Sequence, residues 1–260
     1  MEKLVQNTKN LFDNYINSFT SFSEEQKKNA EIKRNHSYRV ADNCRLLSSE
    51  IVVYSFDQDL AYIIGLLHDI GRFQQLADYN TFDDSKSIDH ADMAVELIKD
   101  KEIFGENNFD RQDLILNAIR NHNKFELPKK ISQEEMMYSH LLRDADKIDI
   151  LNVITEYYSK QNKSPNHTLT WELPKGTAVS KKVAKDVLAG KQVFKKDVET
   201  EIDVKIMQLS WIFDLNFRPS IEFVLKNRFL EKIYNTLSKT DTIIEIYRKV
   251  KIYAQNKLMD

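Results

Sequence analysis

Six histidine and aspartate side chains recur at wide intervals through the first 150 residues of the chain. They are His36, the adjacent pair His68 and Asp69, then His90, His122 and Asp146. The chain has six histidines in 260 residues, and four of them belong to this series. Imidazole nitrogens and carboxylate oxygens together suit divalent metals of intermediate softness. The series therefore predicts a metal site, and two metals that share one carboxylate would form a hydrolytic centre.

Helices with one apolar face would have to carry these ligands. Apolar residues recur at three- and four-residue steps in the stretches 37–51, 57–70, 88–99, 110–122 and 132–160. The first four stretches each have a member of the series at or near one end, and the last has Asp146 near its middle. A core or helix-end role is the commoner explanation of any one histidine. The joint pattern favours a metal, because an aspartate in an apolar helix end is costly unless it is paired or ligating.

Turn residues and polarity suggest how these helices are connected. Gly71 has the place of a C′ residue that ends the helix of 57–70. The polar stretch 72–87 is then predicted to be a loop that passes over the site. Asp83, Asp84 and Lys86 in this stretch could contact a substrate, but an ordinary solvated loop explains them more simply.

The rest of the chain also favours helices. Helical patterns occur at 2–19, 179–189, 197–214, 219–237 and 240–257. With only 5 Gly and 4 Pro in the chain, an all-β protein is disfavoured, because such a protein needs frequent turns. We therefore predict an all-α fold.

Composition restricts the compartment and the partners. The net charge of −2 gives no basic field for nucleic acid, and no evidence for DNA binding is visible. The N-terminus lacks the apolar core of a signal peptide, and no stretch approaches the ~18 apolar residues of a membrane span. Cys44 is the single cysteine, which excludes an intramolecular disulfide, and we predict a buried core thiol. These features predict a cytoplasmic protein with no membrane partner.

Three motifs resemble those of the HD-domain superfamily of metal-dependent phosphohydrolases. HSYRVADNC, GLLHDIGRF and RDADKIDIL resemble its first, defining second and last motifs. The histidines in SIDHADMAVELI and AIRNHNKF match the six-ligand version of its dinuclear members. The resemblance covers roughly residues 34–150 and implies an HD-domain helical bundle, here with additional C-terminal helices.

The implied organisation has three parts. Residues 1–160 would form the HD-type metal-binding helical core together with the N-terminal helices. A loop or small hairpin would follow at 161–178. Residues 179–260 would add C-terminal helices that pack on the core, so that the chain forms one compact domain.

The resemblance also implies a role for each ligand. The ligands of one divalent ion would be His36, His68, Asp69 and Asp146. Asp69 would bridge to a second ion, which His90 and His122 would complete. His68 and Asp69 would be the catalytic residues, and a hydroxide that bridges the ions would be the nucleophile. Mn, Fe, Zn, Ni, Co and Mg all stay open as the metal.

Three cations lie next to the ligands in sequence. Arg39, Arg72 and Lys147 could bind the phosphate of a substrate, because guanidinium and ammonium groups pair well with phosphate. Helix solvation explains them about equally well. The expected substrate is a small phosphorylated molecule, with nucleotides among the candidates, and a homo-oligomer stays open.

The leading hypothesis is a phosphohydrolase that cleaves a phosphomonoester or phosphodiester. Cyclic di-GMP is disfavoured, because the residues after His122 lack the Gly-Tyr-Pro motif of that subgroup. One alternative is a di-iron oxygenase, since such enzymes with the same six-ligand order are built on this fold. Another is a non-catalytic regulatory module, which the presence of all six ligands disfavours.

Overall fold

The computed structural model describes residues 2–100, 111–159 and 173–259. Over these ranges the regular structure is helical and no β-strand occurs, which confirms the predicted all-α fold. The chain divides into two compact units, Met1–Asp146 and Lys147–Asp260. The predicted loop or hairpin at 161–178 lies mostly outside the described residues.

The N-terminal unit contains the helices expected to carry the metal ligands. Its α-helices are α1 (Glu2–Asn17), α2 (Glu24–Glu50), α3 (Gln58–Leu67), α4 (Gly71–Tyr79), α5 (His90–Asp100) and α6 (Gln112–Asn121). The next helix, α7 (Gln133–Ser159), begins in this unit and runs past its last residue. A short 3-10 turn, Asp84–Lys86, lies between α4 and α5.

Close packing of α2 against α3 fixes the first two ligand positions. Ser23 caps α2, and Gln26 completes a capping box, so this long helix begins at a defined residue. Asp57 caps α3 through the backbone N–H groups of Asp59 and Leu60. At Gly65, an added Cβ would lie 2.7 Å from Cα of Ala41, so only glycine allows the two backbones to approach this closely.

The predicted loop at 72–87 is wrong over its first half, where α4 occurs instead. Gly71 does not end the helix of 57–70 but begins α4, after α3 has ended at Leu67. Glycine is required there for space, because an added Cβ would lie 2.3 Å from the carbonyl oxygen of His90. Phe73 and Leu76 are buried one helical turn apart, and this short apolar stripe was hidden among polar neighbours.

The C-terminal unit is also helical. Its α-helices are α8 (Lys181–Leu188), α9 (Glu201–Ser210), α10 (Arg218–Lys226), α11 (Phe229–Asn235) and α12 (Asp241–Lys257), with 3-10 turns at Lys195–Asp197 and Trp211–Asp214. The single helix predicted at 219–237 is wrong, because Arg228 adopts a left-handed conformation with φ 57° and separates α10 from α11. The part of the chain that the structure describes has no helix long and apolar enough to cross a membrane.

Candidate metal centre

Five structural elements of the N-terminal unit bring the six predicted ligands together. His36 lies within α2, and His68 and Asp69 occupy the turn between α3 and α4. His90 is the first residue of α5, and His122 follows the last residue of α6. Asp146 lies in the middle of α7. All except Asp146 are buried, and the Asp146 side chain is 20% exposed.

Asp69 lies between two pairs of imidazoles, and each of its carboxylate oxygens faces one pair. Oδ2 lies 3.7 Å from Nε2 of His36 and 3.6 Å from Nε2 of His68. Oδ1 lies 3.3 Å from Nε2 of His90 and 4.0 Å from Nε2 of His122. Each oxygen of Asp69 could therefore act as a metal ligand together with the imidazoles that it faces.

Asp146 lies against the pair formed by His36 and His68. Its Oδ1 lies 3.1 Å from Nε2 of His36 and 3.8 Å from Nε2 of His68. We call His36, His68 and Asp146, with Oδ2 of Asp69, the first half of the centre. The second half consists of His90 and His122 with Oδ1 of Asp69.

Backbone carbonyls orient two of the imidazoles. Nδ1 of His68 lies 2.7 Å from the carbonyl oxygen of Gly65, and Nδ1 of His122 lies 2.6 Å from that of Ile119. A carbonyl oxygen only accepts, so each Nδ1 must carry the hydrogen that it donates. In the neutral rings Nε2 then has an unshared lone pair, which is the form that binds a metal.

Three observations test whether a divalent cation fits between these groups. Nε2 of His68 is buried and has no hydrogen-bond partner within the described ranges. Nε2 of His90 and Nε2 of His122 lie 3.1 Å apart, although Nδ1 of each ring already faces an acceptor. Two lone pairs at this distance repel unless a proton or a cation lies between them. The donor set of imidazoles and carboxylates suits such a cation, and therefore the residues fit the expected metals.

Burial favours the neutral form of two ligand imidazoles. It lowers the pKa of His68, and burial together with the neighbouring His90 lowers the pKa of His122 to about 3. Burial alone would raise the pKa of Asp69, but the positive charges near it, that of Lys33 above all, outweigh burial and hold the pKa well below its usual value. Neutral imidazoles around an ionised carboxylate are the protonation states that metal binding requires.

Two residues at this centre were not identified as site residues from the sequence. Nζ of Lys33 lies 2.9 Å from Oδ2 of Asp69, and Oδ2 of Asp84 lies 2.7 Å from Nδ1 of His90. Lys33 precedes His36 by three residues, so helical spacing could have placed it on the same face of α2. Asp84 was considered only as a possible substrate contact of a solvated loop, and its place beside His90 follows from the path of the segment after α4, which helical spacing does not predict.

The structure places the three predicted phosphate-binding cations in different surroundings. Arg39 is half-buried one turn after His36 on α2. Arg72 lies 3.5 Å from Asp69 but directs Nη1 at Asp84, 2.7 Å away. Lys147 belongs to the C-terminal unit and pairs with Asp214 there at 2.7 Å. Their assignment to a substrate stays a prediction.

Comparison with protein families agrees with the motifs and the geometry. The family model described as HD domain matches residues 34–153, a little under half of the chain. These residues therefore match an HD domain, and the predicted resemblance to the HD-domain superfamily is confirmed. Comparisons with curated proteins and with solved structures gave no match.

Proposed function

We propose that this chain is a metal-dependent phosphohydrolase that cleaves a phosphomonoester or phosphodiester bond with two divalent ions. The observation that carries the proposal is the placement of the Asp69 carboxylate, whose two oxygens each face a different pair of buried imidazoles. A carboxylate placed in this way can hold two ions side by side, and paired ions are typical of enzymes that hydrolyse phosphate esters.

Each half of the centre would hold one ion with its own side chains. His36, His68 and Asp146 with Oδ2 of Asp69 would bind the first, and His90 and His122 with Oδ1 would bind the second. When bound, the ions would supply Lewis acidity toward a phosphoryl oxygen and hydroxide at neutral pH. Asp69 and His68 would thus contribute to catalysis through the ions that they hold, and the buried walls would keep bulk water from the ligands.

We further propose that Lys33 contacts the phosphate of the substrate. Its ammonium group lies on Oδ2 of Asp69, the oxygen that also faces His36 and His68. An ion bound to Oδ2 would compete with Lys33 for that oxygen, and a phosphate is the natural alternative partner for the freed ammonium. Arg39 stays a proposed second phosphate contact. The substrate is then a small phosphorylated molecule, and nucleotides are the first candidates.

Metal analysis followed by a substrate screen tests this function. Protein purified without oxygen is analysed for Mn, Fe, Zn, Ni, Co and Mg, and then incubated with nucleotides, simple phosphomonoesters and phosphodiesters. We expect release of inorganic phosphate, or of a monoester from a diester, that depends on the bound ion and disappears in Asp69→Ala.

Two outcomes would contradict the proposal and favour the alternatives. Oxygen uptake by the iron-loaded protein, with no phosphate ester cleaved, would indicate a di-iron oxygenase. A protein that binds two ions but cleaves no compound of the substrate screen and takes up no oxygen would indicate a regulatory module.

A further inference from the structure

A carboxylate from outside the ligand set reaches the second half of the centre. Asp84 begins the 3-10 turn between α4 and α5, and its Oδ2 lies 2.7 Å from Nδ1 of His90. The other nitrogen of that ring, Nε2, faces Asp69 and His122. Asp84 therefore contacts the side of the imidazole that lies away from the proposed ion.

Two side chains of α4 hold Asp84 in this position. Its Oδ1 accepts from the guanidinium of Arg72 at 2.7 Å and from the amide of Gln75 at 2.9 Å. The same guanidinium nitrogen donates to the carbonyl oxygen of Phe82 at 2.6 Å, and the same amide lies 2.7 Å from Oγ of Ser87. Gln75 is fully buried. These contacts attach the segment on both sides of Asp84 to α4.

His90 differs in this respect from two other ligand imidazoles. His68 and His122 donate through Nδ1 to backbone carbonyls of the preceding helical turn. A carbonyl stays in place when a side chain is exchanged. The orientation of His90 depends instead on a side chain that belongs to a separate segment.

We propose that Asp84 is a positioning residue, which fixes the tautomer and ring orientation of His90 and so sets the affinity of the second half for its ion. The inference rests on the proposed dinuclear centre and deepens it. Carboxylates placed behind a ligand imidazole commonly change metal affinity by about 10- to 100-fold. Arg72 and Gln75 would act indirectly, because they hold Asp84 in its position.

Titration of the full-length chain with Mn(II), followed by calorimetry, tests this role. The variants are Asp84→Ala, which removes the acceptor, and Asp84→Asn, which keeps an oxygen that can accept from His90. Asp78→Asn is the matched control, because Asp78 is an exposed carboxylate of α4 that accepts a hydrogen bond from Gln74 on the same helix. Circular dichroism compares the helical content of all variants.

We expect Asp84→Ala to weaken one of the two Mn(II) sites by about 10- to 100-fold and to leave the other unchanged. Asp84→Asn should recover part of this loss, and Asp78→Asn should match the unchanged protein. Unchanged affinities in Asp84→Ala would overturn the inference. So would an equal loss at both sites together with a loss of helix, since that pattern indicates a purely structural role.

The same measurements separate this inference from the proposed function. If the Asp84 variants show the selective loss of affinity but no phosphate ester is cleaved, the proposed function fails and the role of Asp84 stands. If phosphate esters are cleaved and both affinities are unchanged, only the role of Asp84 fails. A chain that binds fewer than two ions overturns both.

Discussion

The two halves of the centre share Asp69, but the fold builds them in different ways. The first half takes His36 and Asp146 from within α2 and α7, each of which is 27 residues long, and only His68 from a helix end. The second half takes His90 and His122 from the ends of α5 and α6, which are 11 and 10 residues long. A ligand inside a long helix is fixed by backbone on both sides, whereas a ligand at a helix end depends on the adjoining segment.

In the second half, the segments that adjoin the two imidazoles also contact each other. Asp89 directly precedes His90, and it accepts from Asn123 at 2.8 Å and from Lys124 at 2.6 Å. The two donors are the first and second residues after His122, so the contacts connect the start of α5 to the end of α6. Together with Asp84, these contacts attach both imidazoles of the second half to polar side chains of adjoining segments, whereas two of the three side chains of the first half lie within long helices. Substitutions outside the ligand set should therefore lower the metal affinity of the second half more than that of the first.

The largest expected effect comes from removing the residue that the halves share. Asp69→Ala should lose both ions and should reduce turnover to the rate of the metal-free protein, because each ion loses one ligand and the bridge is gone. Metal analysis and the phosphate-release assay measure the two losses, and circular dichroism should show a largely retained helical fold. Full activity in a metal-free Asp69→Ala variant would contradict the mechanism.

Single-ligand variants should separate the halves. We expect His122→Ala to keep the first ion and His68→Ala to keep the second, so that each variant falls from two ions per chain to one. Turnover should be lost in both variants, because the proposed reaction needs both ions. Metal stoichiometry after dialysis measures this directly. Retention of two ions by His122→Ala would remove His122 from the ligand set.

Substitution of Lys33 should have a smaller effect, which is confined to substrate binding. Lys33→Met should raise KM by about 10- to 100-fold, since hydrogen bonds to charged groups contribute about 1.5–3 kcal/mol, and it should leave two ions bound. Lys28→Met is the matched control, because Lys28 is an exposed lysine on the same helix. A fall in kcat with loss of an ion, and no change in KM, would show that Lys33 supports Asp69 and does not contact the substrate.

Substitution of either of two glycines should have the smallest and most local effects. Gly65→Ala forces α3 against Ala41 beside the first half, and Gly71→Ala forces α4 against the backbone of His90 in the second half. Each should lower the free energy of unfolding by about 1–3 kcal/mol, which exceeds the ~0.5–1 kcal/mol that alanine gains over glycine in a helix. Thermal unfolding measures the loss, and metal titration should show the weaker site on the corresponding half. A weaker first site in Gly71→Ala would contradict this assignment.

The sequence was sufficient for the parts of the centre that depend on regular helices. The apolar stripes of α2, α3, α5, α6 and α7 have the helical period, and the motifs identified all six proposed ligands. The sequence was misleading where a glycine serves close packing. Gly71 has the place of a helix-ending residue, but it is the first residue of α4. Glycine is needed there because an added Cβ would clash with the carbonyl oxygen of His90.

Contacts between distant segments could not be derived from spacing. Asp84 has no periodic relation to His90, and the two meet because Arg72 and Gln75 hold the intervening segment on α4. The break at Arg228 is a similar case, because only the structure shows its left-handed backbone. In both places, the local sequence is compatible with a simpler structure, and tertiary packing stabilises a different one.

The bridging role of Asp69 is tested most directly by electron paramagnetic resonance of the Mn(II)-loaded protein. Two ions held by one carboxylate should be magnetically coupled, so we expect a coupled spectrum at two ions per chain that disappears in Asp69→Ala. A spectrum of isolated Mn(II) at two ions per chain would contradict a centre in which one aspartate joins two ions.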